Sequence, residues 1–458
     1  MNHSVFFESK TILRIAAPIA TCAMLEGCVY FLNTWMLAQL GNDALGAGAL
    51  VTNLFSSLMM IFWGVFSSSS MIYARYYGAN DRKSISRLLG TTNLLAVMLG
   101  IITSCILWHA DIILHLLGQE DSTVALAKNY AHGLALAEIP DLLSFSLFNF
   151  LQGISRANTT LWLSLIYVPL NITCNYILVF GKFGLPAMHT AGIGYGTFIS
   201  YCLLIAIIMS YFLSHRAIRI YCSSPFLFVW QEVKKLLFVG LPLGIIWALS
   251  YFFLFLVAAI FGRLGADILA AYQIVAQWLS AFFVITAALA TTLKIRMNFA
   301  IGQKNNQAVL TAHYASVGIN IIYLLILAPM MIYFSHYLIW FDLNPHNLLN
   351  NTMIGYAEQF FAAAFIYLFF YSLNYLLANT LIALKDVWYI LLICFTCSMI
   401  IGVPLVLLVE HFYPKQPLYL IYAMACAECL SVLLLAQRCV IKLRTLYNQK
   451  IVRPFQKN

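Results

Sequence analysis

The sequence predicts an all-α membrane protein of about twelve transmembrane helices in two six-helix repeats (6+6), and three observations carry that prediction. The chain is 62% hydrophobic and only 9% charged, with a mean hydropathy of +0.87, which is far from the balance of a water-soluble domain. Apolar runs long enough to cross a hydrocarbon core of about 30 Å recur along all 458 residues and leave no long soluble domain. Sliding the sequence against itself gives one informative offset, 224 residues, which aligns Pro18 with Pro242, Gly41 with Gly265, Asp43 with Asp267, Ala47 with Ala271, Val51 with Val275, Ser56 with Ser280 and Gly78 with Gly302.

Taken in order, the spans and the basic residues beside them also give a topology. Span one (11–38) follows Lys10 and carries Arg14; span two (45–74) runs into Arg75, Arg82 and Lys83; span three (87–116) starts on Arg87. Span four (124–152) has Lys128 at its opposite end and is followed by Arg156, and span five (158–180) stops before Lys182. Span six (191–214) meets Arg216 and Arg219, while span seven (232–261) starts with Lys234 and Lys235 and stops before Arg263. Span eight (267–295) ends on Lys294 and Arg296, and Lys304 precedes span nine (306–335). Span ten (353–382) stops before Lys385, span eleven (387–410) before Lys415, and span twelve (417–442) runs into six basic residues from Arg438 to Lys457. With the N-terminus inside, 21 of the 25 Lys and Arg fall on the inner side, and Lys128, Lys182, Arg263 and Lys415 on the outer. This positive-inside bias places both termini in the cytoplasm.

The even number of spans per half gives both halves one orientation, related by a pseudo-two-fold axis along the membrane normal, with lobes 1–219 and 220–458. The net charge of +9 reports topology and anionic lipid, so no nucleic-acid partner follows from it. The first apolar run is full length, carries Glu26 and lacks a small-residue cleavage site, so it is read as a retained span and not a signal peptide. The eleven cysteines sit mostly inside spans as small hydrophobes. Cys394 with Cys397 and Cys426 with Cys429 form two CxxC pairs, for which packing outweighs a metal site because such motifs normally occupy loops or helix ends.

A charged side chain at a helix centre costs about 2.5–3.5 kcal/mol to insert, so ionisable groups inside spans are functional candidates. Glu26, in MLEGCVYFLNTWMLAQLG, must be protonated or paired. Tyr30 and Asn33 share its helical face, which is expected to point inward. Two roles stay open for Glu26: a proton-carrying or cation-binding group, or a neutral acid joining helices. Its repeat equivalent is Ser250 and that of Asn33 is Val257, so the second half has no counterpart. In VPLNITCNYILVFGKFGLP, Asn171 and Asn175 lie one turn apart just after Pro169. Their amide oxygens, beside a carbonyl freed by proline, suit a small cation or a bond to Glu26, and equally a plain helix-to-helix link.

Asn53, Asn149 and Thr197 add weaker polar positions, while Glu138 and Asp141 flank Pro140 where a water-reached vestibule is expected. Glu358 and Glu428 rank no higher than buried structural acids, and the ten histidines form no ligand pattern. Aromatic residues make up 15% of the chain and suit large organic cations through cation–π attraction, although each one singly also fits lipid-facing packing. Tyr30, Glu138, Asp141, Trp247, Ser250, Gln273 and Tyr371 are the candidate substrate-pathway residues.

Five segments resemble the multidrug and toxin extrusion (MATE) family across nearly the whole chain. They are RIAAPIATCAMLEGCVYFLNTWMLAQLGNDALGAGAL, YARYYGANDRKSISRLL, NITCNYILVFGKFGLPAMHTAGIGYGT, LLFVGLPLGIIWALSYFFLFLVAAIFGRLGADILAAYQIV and LIALKD. The resemblance implies a monomeric secondary antiporter of the inner (plasma) membrane. It implies no cofactor, and export of small organic cations or amphipathic metabolites in exchange for protons or sodium by alternating access. Asn171, Asn175 and Thr197 match the family's polar positions in helices five and six. Asn33 stands where many bacterial members have an aspartate, and Ser250 and Tyr371 where some members carry acids. Glu26, two turns from Asn33, is expected to supply the carboxylate lost at position 33.

Three rivals were weighed. A lipid-linked oligosaccharide flippase needs Arg or Lys inside the spans, whereas the basic residues here lie almost entirely at the inner boundary. An enzyme needs a convergent nucleophile, base or metal set, and none stands out. A non-transporting, receptor-like member stays open because three of the family's usual acids are replaced.

Overall fold

The computed structural model describes residues 2–116, 118–222, 227–342 and 351–452. Among them twelve helical stretches are long and apolar enough to cross a membrane, and there is no strand. The first half comprises α1 (Asn2–Gln39), α2 (Asn42–Gly78), α3 (Arg82–Trp108), α4 (Ala110–Leu116), α5 (Asp121–Gly153), α6 (Ala157–Phe180), α7 (Thr190–Ser214) and α8 (Arg216–Arg219). The second comprises α9 (Trp230–Leu264), α10 (Ala266–Gly302), α11 (Asn306–Tyr333), α12 (Ser335–Asp342), α13 (Asn351–Ala383), α14 (Val387–Cys394), a π-helical segment (Phe395–Gly402), α15 (Val403–Phe412) and α16 (Leu418–Val452). Arg453 and Lys457, two of the tail residues in the charge count, lie outside the described residues.

The repeat read from the sequence reappears in the backbone. Gly41 and Gly265, 224 apart, both adopt positive φ (111° and 142°) ahead of α2 and α10, a conformation open to glycine because it lacks a Cβ. Asp81 and Asn305, also 224 apart, cap α3 and α11: their side chains accept from the backbone N–H of Ser84 at 3.0 Å and of Ala308 at 3.1 Å. The Ser84 hydroxyl, 2.6 Å away, and its backbone N–H hold the Asp81 carboxyl below the usual carboxylate range. Asp81→Ala is therefore expected to remove about 0.5–1 kcal/mol of stability. Because the folded-state value is depressed, that contribution is present above the unfolded pKa of about 4 and is lost as pH falls through the lower folded value. Thermal unfolding of both forms should show a gap at pH 7 that closes in strong acid.

Two predicted spans are shorter than expected. The run at 87–116 breaks after Trp108, and in the short α4 that follows, Asp111 pairs with Lys128 of α5 at 2.8 Å. That bond, outweighing burial, holds Asp111 below the ordinary carboxylate range. The run at 306–335 likewise stops at Tyr333 and is followed by the separate α12. The eleventh span is not a uniform α-helix. Pro404 opens α15 without a backbone N–H, and just before it the N–H of Val403 reaches back five residues to the Ser398 carbonyl. Asp386, at the end of the LIALKD stretch, accepts from Arg438 at 2.7 Å and lies 3.2 Å from Lys442. Burial alone would raise its pKa, but the two cations outweigh that and hold it low.

The chain packs as two compact units, one of Thr21–Gly244 and one of Met1–Ala20 with Ile245–Asn458. In the first, α5 is the central helix, touching α2, α3 and α7. A Cβ built on Gly133 of α5 would sit 2.7 Å from the backbone of Gly194 in α7, so the two helices meet backbone to backbone. In the second, α13 takes the central place against α10, α11 and α16, and its core is built on Phe253, Phe261, Phe360, Phe361 and Tyr367.

Candidate functional site

Within the Thr21–Gly244 unit, α6 presents Tyr167, Asn171 and Asn175 at successive i+4 positions on one face. All three are buried. The Asn171 amide donates to Ser200 Oγ at 2.8 Å and to Thr197 Oγ1 at 3.4 Å on α7, while its oxygen accepts from Asn175 Nδ2 at 3.0 Å. Asn175 Nδ2 also donates to Asn33 Oδ1 at 2.9 Å on α1. Asn175 Oδ1 is fully buried without a hydrogen-bond partner among the described residues, and a Cβ on Gly196 would overlap it. Glycine at 196 therefore makes the room for this oxygen, a buried acceptor able to meet a proton donor or a small cation.

The chain of hydrogen bonds continues in the other direction. Tyr167 and Tyr201 are hydrogen-bonded and stack with ring centroids 4.8 Å apart, and Tyr201 donates to Asp141 on α5. One polar thread thus runs Asp141, Tyr201, Tyr167, Asn171, Asn175, Asn33 across α5, α7, α6 and α1. Glu26 lies within electrostatic reach of Asp141 and Tyr167. Two carboxylates, with hydroxyls and amides around them, thus stand close enough to influence one another.

The structure brings together Glu26, Asn33, Asp141, Asn171, Asn175 and Thr197 and corrects two expectations. The face shared by Glu26, Tyr30 and Asn33 does not turn into the unit as a whole: Asn33 is half-buried against Asn175, whereas Glu26 is exposed and Tyr30 is 48% exposed. Helical spacing fixes which residues share a face and leaves open what that face meets. Glu138 does not line a water-reached vestibule with Asp141. It is buried beside Thr103 of α3, and neither carboxylate oxygen meets the geometry of a hydrogen bond among the described residues. Sequence reasoning missed Tyr167, Ser200 and Tyr201, although the spacing 167, 171, 175 on α6 was a readable signal for the first.

The other unit holds a second polar cluster, centred on Glu428, which the sequence ranked no higher than a buried structural acid. Glu428 on α16 accepts from Asn374 Nδ2 on α13 at 2.6 Å, and the same amide donates to Ser431 Oγ at 2.9 Å. Tyr367 and Tyr371, whose rings stack at 5.6 Å, and Cys394 lie within its electrostatic reach. Ser250 Oγ donates to the Ile246 carbonyl at 2.9 Å and lies 4.0 Å from Cys394 Sγ, and the Trp247 ring N–H donates to Tyr375. Gln273 is exposed on α10 and stands outside the bonds of this cluster, while its neighbour Tyr272 stacks on Phe261. All eleven cysteines are free, and no three His, Cys, Asp or Glu among the described residues gather as a metal site.

Comparison with known proteins agrees with this architecture. A probable multidrug resistance protein NorM of Synechocystis sp. is 28% identical over 349 residues, covering 75% of this chain and 76% of that protein. The one of Pseudomonas putida is 26% identical over 403 residues, covering 87% and 86%. Among solved structures, the Vibrio cholerae MATE transporter VcmN in the bent form superposes with a TM-score of 0.87 at 15% identity, over 97% of this chain and 99% of that one. A transporter of the MOP superfamily from Pyrococcus furiosus gives 0.85 at 16% identity, over 96% and 97%. Such low identities speak for the fold alone. The MatE family model matches residues 18–177 and 242–408, two blocks that begin at Pro18 and Pro242, one repeat offset apart. With two matched blocks spanning most of the chain and twelve apolar helices around them, the chain belongs to the MatE family and is a multi-pass membrane transporter, not an enzyme.

Proposed function

We propose that this transporter is a secondary antiporter of the plasma membrane, with both termini in the cytoplasm, acting as a monomer without a cofactor. It exports small organic cations or amphipathic metabolites in exchange for protons. The observation that carries the reading is the thread from Asp141 to Asn33 with Glu26 beside it. A proton entering from outside settles on the Glu26–Asp141 pair, which removes negative charge from the Thr21–Gly244 unit. Tyr201 and Tyr167 then re-orient their hydroxyls, and the amide chain through Asn171 and Asn175 to Asn33 follows. By linkage, a step that makes proton uptake and cargo release favour each other must also make cargo binding favour proton loss. Glu428, with Tyr367 and Tyr371 beside it, supplies the counter-charge and aromatic faces that suit an organic cation in the other unit.

The test is efflux of a fluorescent organic cation from proteoliposomes under imposed proton or sodium gradients. Export driven by a proton gradient alone supports the reading, export driven only by sodium replaces the coupling ion, and no export under either removes the antiporter. Glu428→Gln is expected to weaken binding of the cation about tenfold while leaving binding of a neutral amphipath unchanged, measured by equilibrium binding in detergent.

A further inference from the structure

The offset that relates the two halves also relates two acids that the sequence comparison passed over: Glu8 aligns with Glu232. Each stands near the start of a long helix, α1 or α9, ten residues before the aligned prolines 18 and 242. Each helix then passes from one compact unit to the other two residues beyond its proline, at Ala20 and at Gly244. The two crossings therefore occupy the same repeat position, and the helix stays continuous through both.

Each acid ties the segment ahead of its crossing to the unit that this segment belongs to, the one the helix leaves at the crossing. The Glu8 carboxylate receives a two-pronged bond from Arg296 of α10, Nε at 2.7 Å and Nη2 at 2.9 Å. The Glu232 carboxylate receives the Tyr76 hydroxyl of α2 at 3.1 Å and 2.9 Å, one to each oxygen, and Lys235 Nζ at 2.6 Å. Helix α10 is the repeat counterpart of α2, and Arg296 aligns with Ile72, one turn from Tyr76. The anchoring chemistry differs while the carboxylate and its place do not. Both carboxylates are buried, so each is costly to leave unmatched.

We propose that Glu8 and Glu232 are a matched pair of conformational latches, both closed in this state and both released in the opposite state of the transport cycle. A helix shared by two units cannot follow both when they move apart, so its leading segment must either stay latched or let go. Two equivalent crossings make the release concerted. The proposal rests on the alternating-access part of the reading above and not on its coupling residues, so it is tested without substrate or ion gradient.

The experiment is hydrogen–deuterium exchange of the full-length protein in lipid nanodiscs, read on peptides covering 2–20 and 230–244. Glu8→Gln is expected to raise exchange about tenfold in both peptides, although only one carries the change. Tyr76→Phe should do the same from the other latch, and the exchanged pair Glu8→Arg with Arg296→Glu should return both toward the unmodified rate. A rise confined to the segment next to the substitution, or no rise, overturns the proposal. Should Glu8→Gln fail to fold, the milder Tyr76→Phe, which keeps every charge, decides the question on the same two peptides.

Discussion

Proton-driven export is expected to fall about a hundredfold on Glu26→Gln, while equilibrium binding of the transported cation changes by less than about threefold. The two measurements separate because the substitution removes a titrating group without removing its shape. Glutamine keeps the length and polarity of the side chain within reach of Asp141 and Tyr167; what is lost is the exchangeable proton. Asp141→Asn should cost a similar factor, and the double variant little more than either alone, because substitutions at two groups that share one interaction are not additive. Tyr201→Phe is a milder probe: it keeps the ring stacked on Tyr167 but leaves Asp141 without its hydroxyl donor, and should slow export about tenfold with the pH profile displaced. Full proton-driven export by Glu26→Gln would move the coupling to another acid, and unaltered export by the double variant would take it out of this thread altogether.

The largest stability effect is expected from Gly133→Val. Its Cβ would meet the Gly194 Cα and the Tyr195 backbone nitrogen at 2.7 Å, and neither is the far end of a flexible side chain. Helices α5 and α7 must then separate, which loosens α7 under the Asn171, Thr197 and Ser200 bonds. Overpacking of this kind costs about 3 kcal/mol, enough to lower the unfolding midpoint of a unit of this size by about 6 °C in detergent. Gly318→Ala is the matched control, since nothing lies within 4 Å of the position its Cβ would take, and it should leave the midpoint unchanged or slightly higher. Equal effects from the two substitutions would mean that the close approach of α5 and α7 does not support the fold.

The spans were legible because the bilayer imposes a length and a polarity that single residues cannot override. The repeat was legible because turn chemistry is local: Gly41 and Gly265, or Asp81 and Asn305, do the same job at the same place. Asn171 and Asn175 could be read as one face since a helix puts i and i+4 together. Glu428 could not be ranked, because its partner Asn374 is 54 residues away and only helix packing brings them into contact. Tyr201 was hidden for the same reason, its partner Asp141 lying on another helix. The break at Trp108 was missed because hydropathy runs on through Ala110–Leu116, which the backbone treats as a new short helix.

The unit assignment of the first twenty residues bears on how the protein is made. Met1–Ala20 packs with Ile245–Asn458, so this segment is synthesised more than two hundred residues ahead of the rest of the unit in which it finds its home. During that interval the apolar stripe containing Ile12 and Ala16, which in the finished protein lies against Leu289 and Ala315, has no native cover. Biogenesis therefore includes a waiting period in which the start of α1 must be sheltered by lipid or by the insertion machinery. A chain divided in the loop between α8 and α9 yields two fragments of which neither holds all of its own unit, and each folds only by taking back a segment from the other.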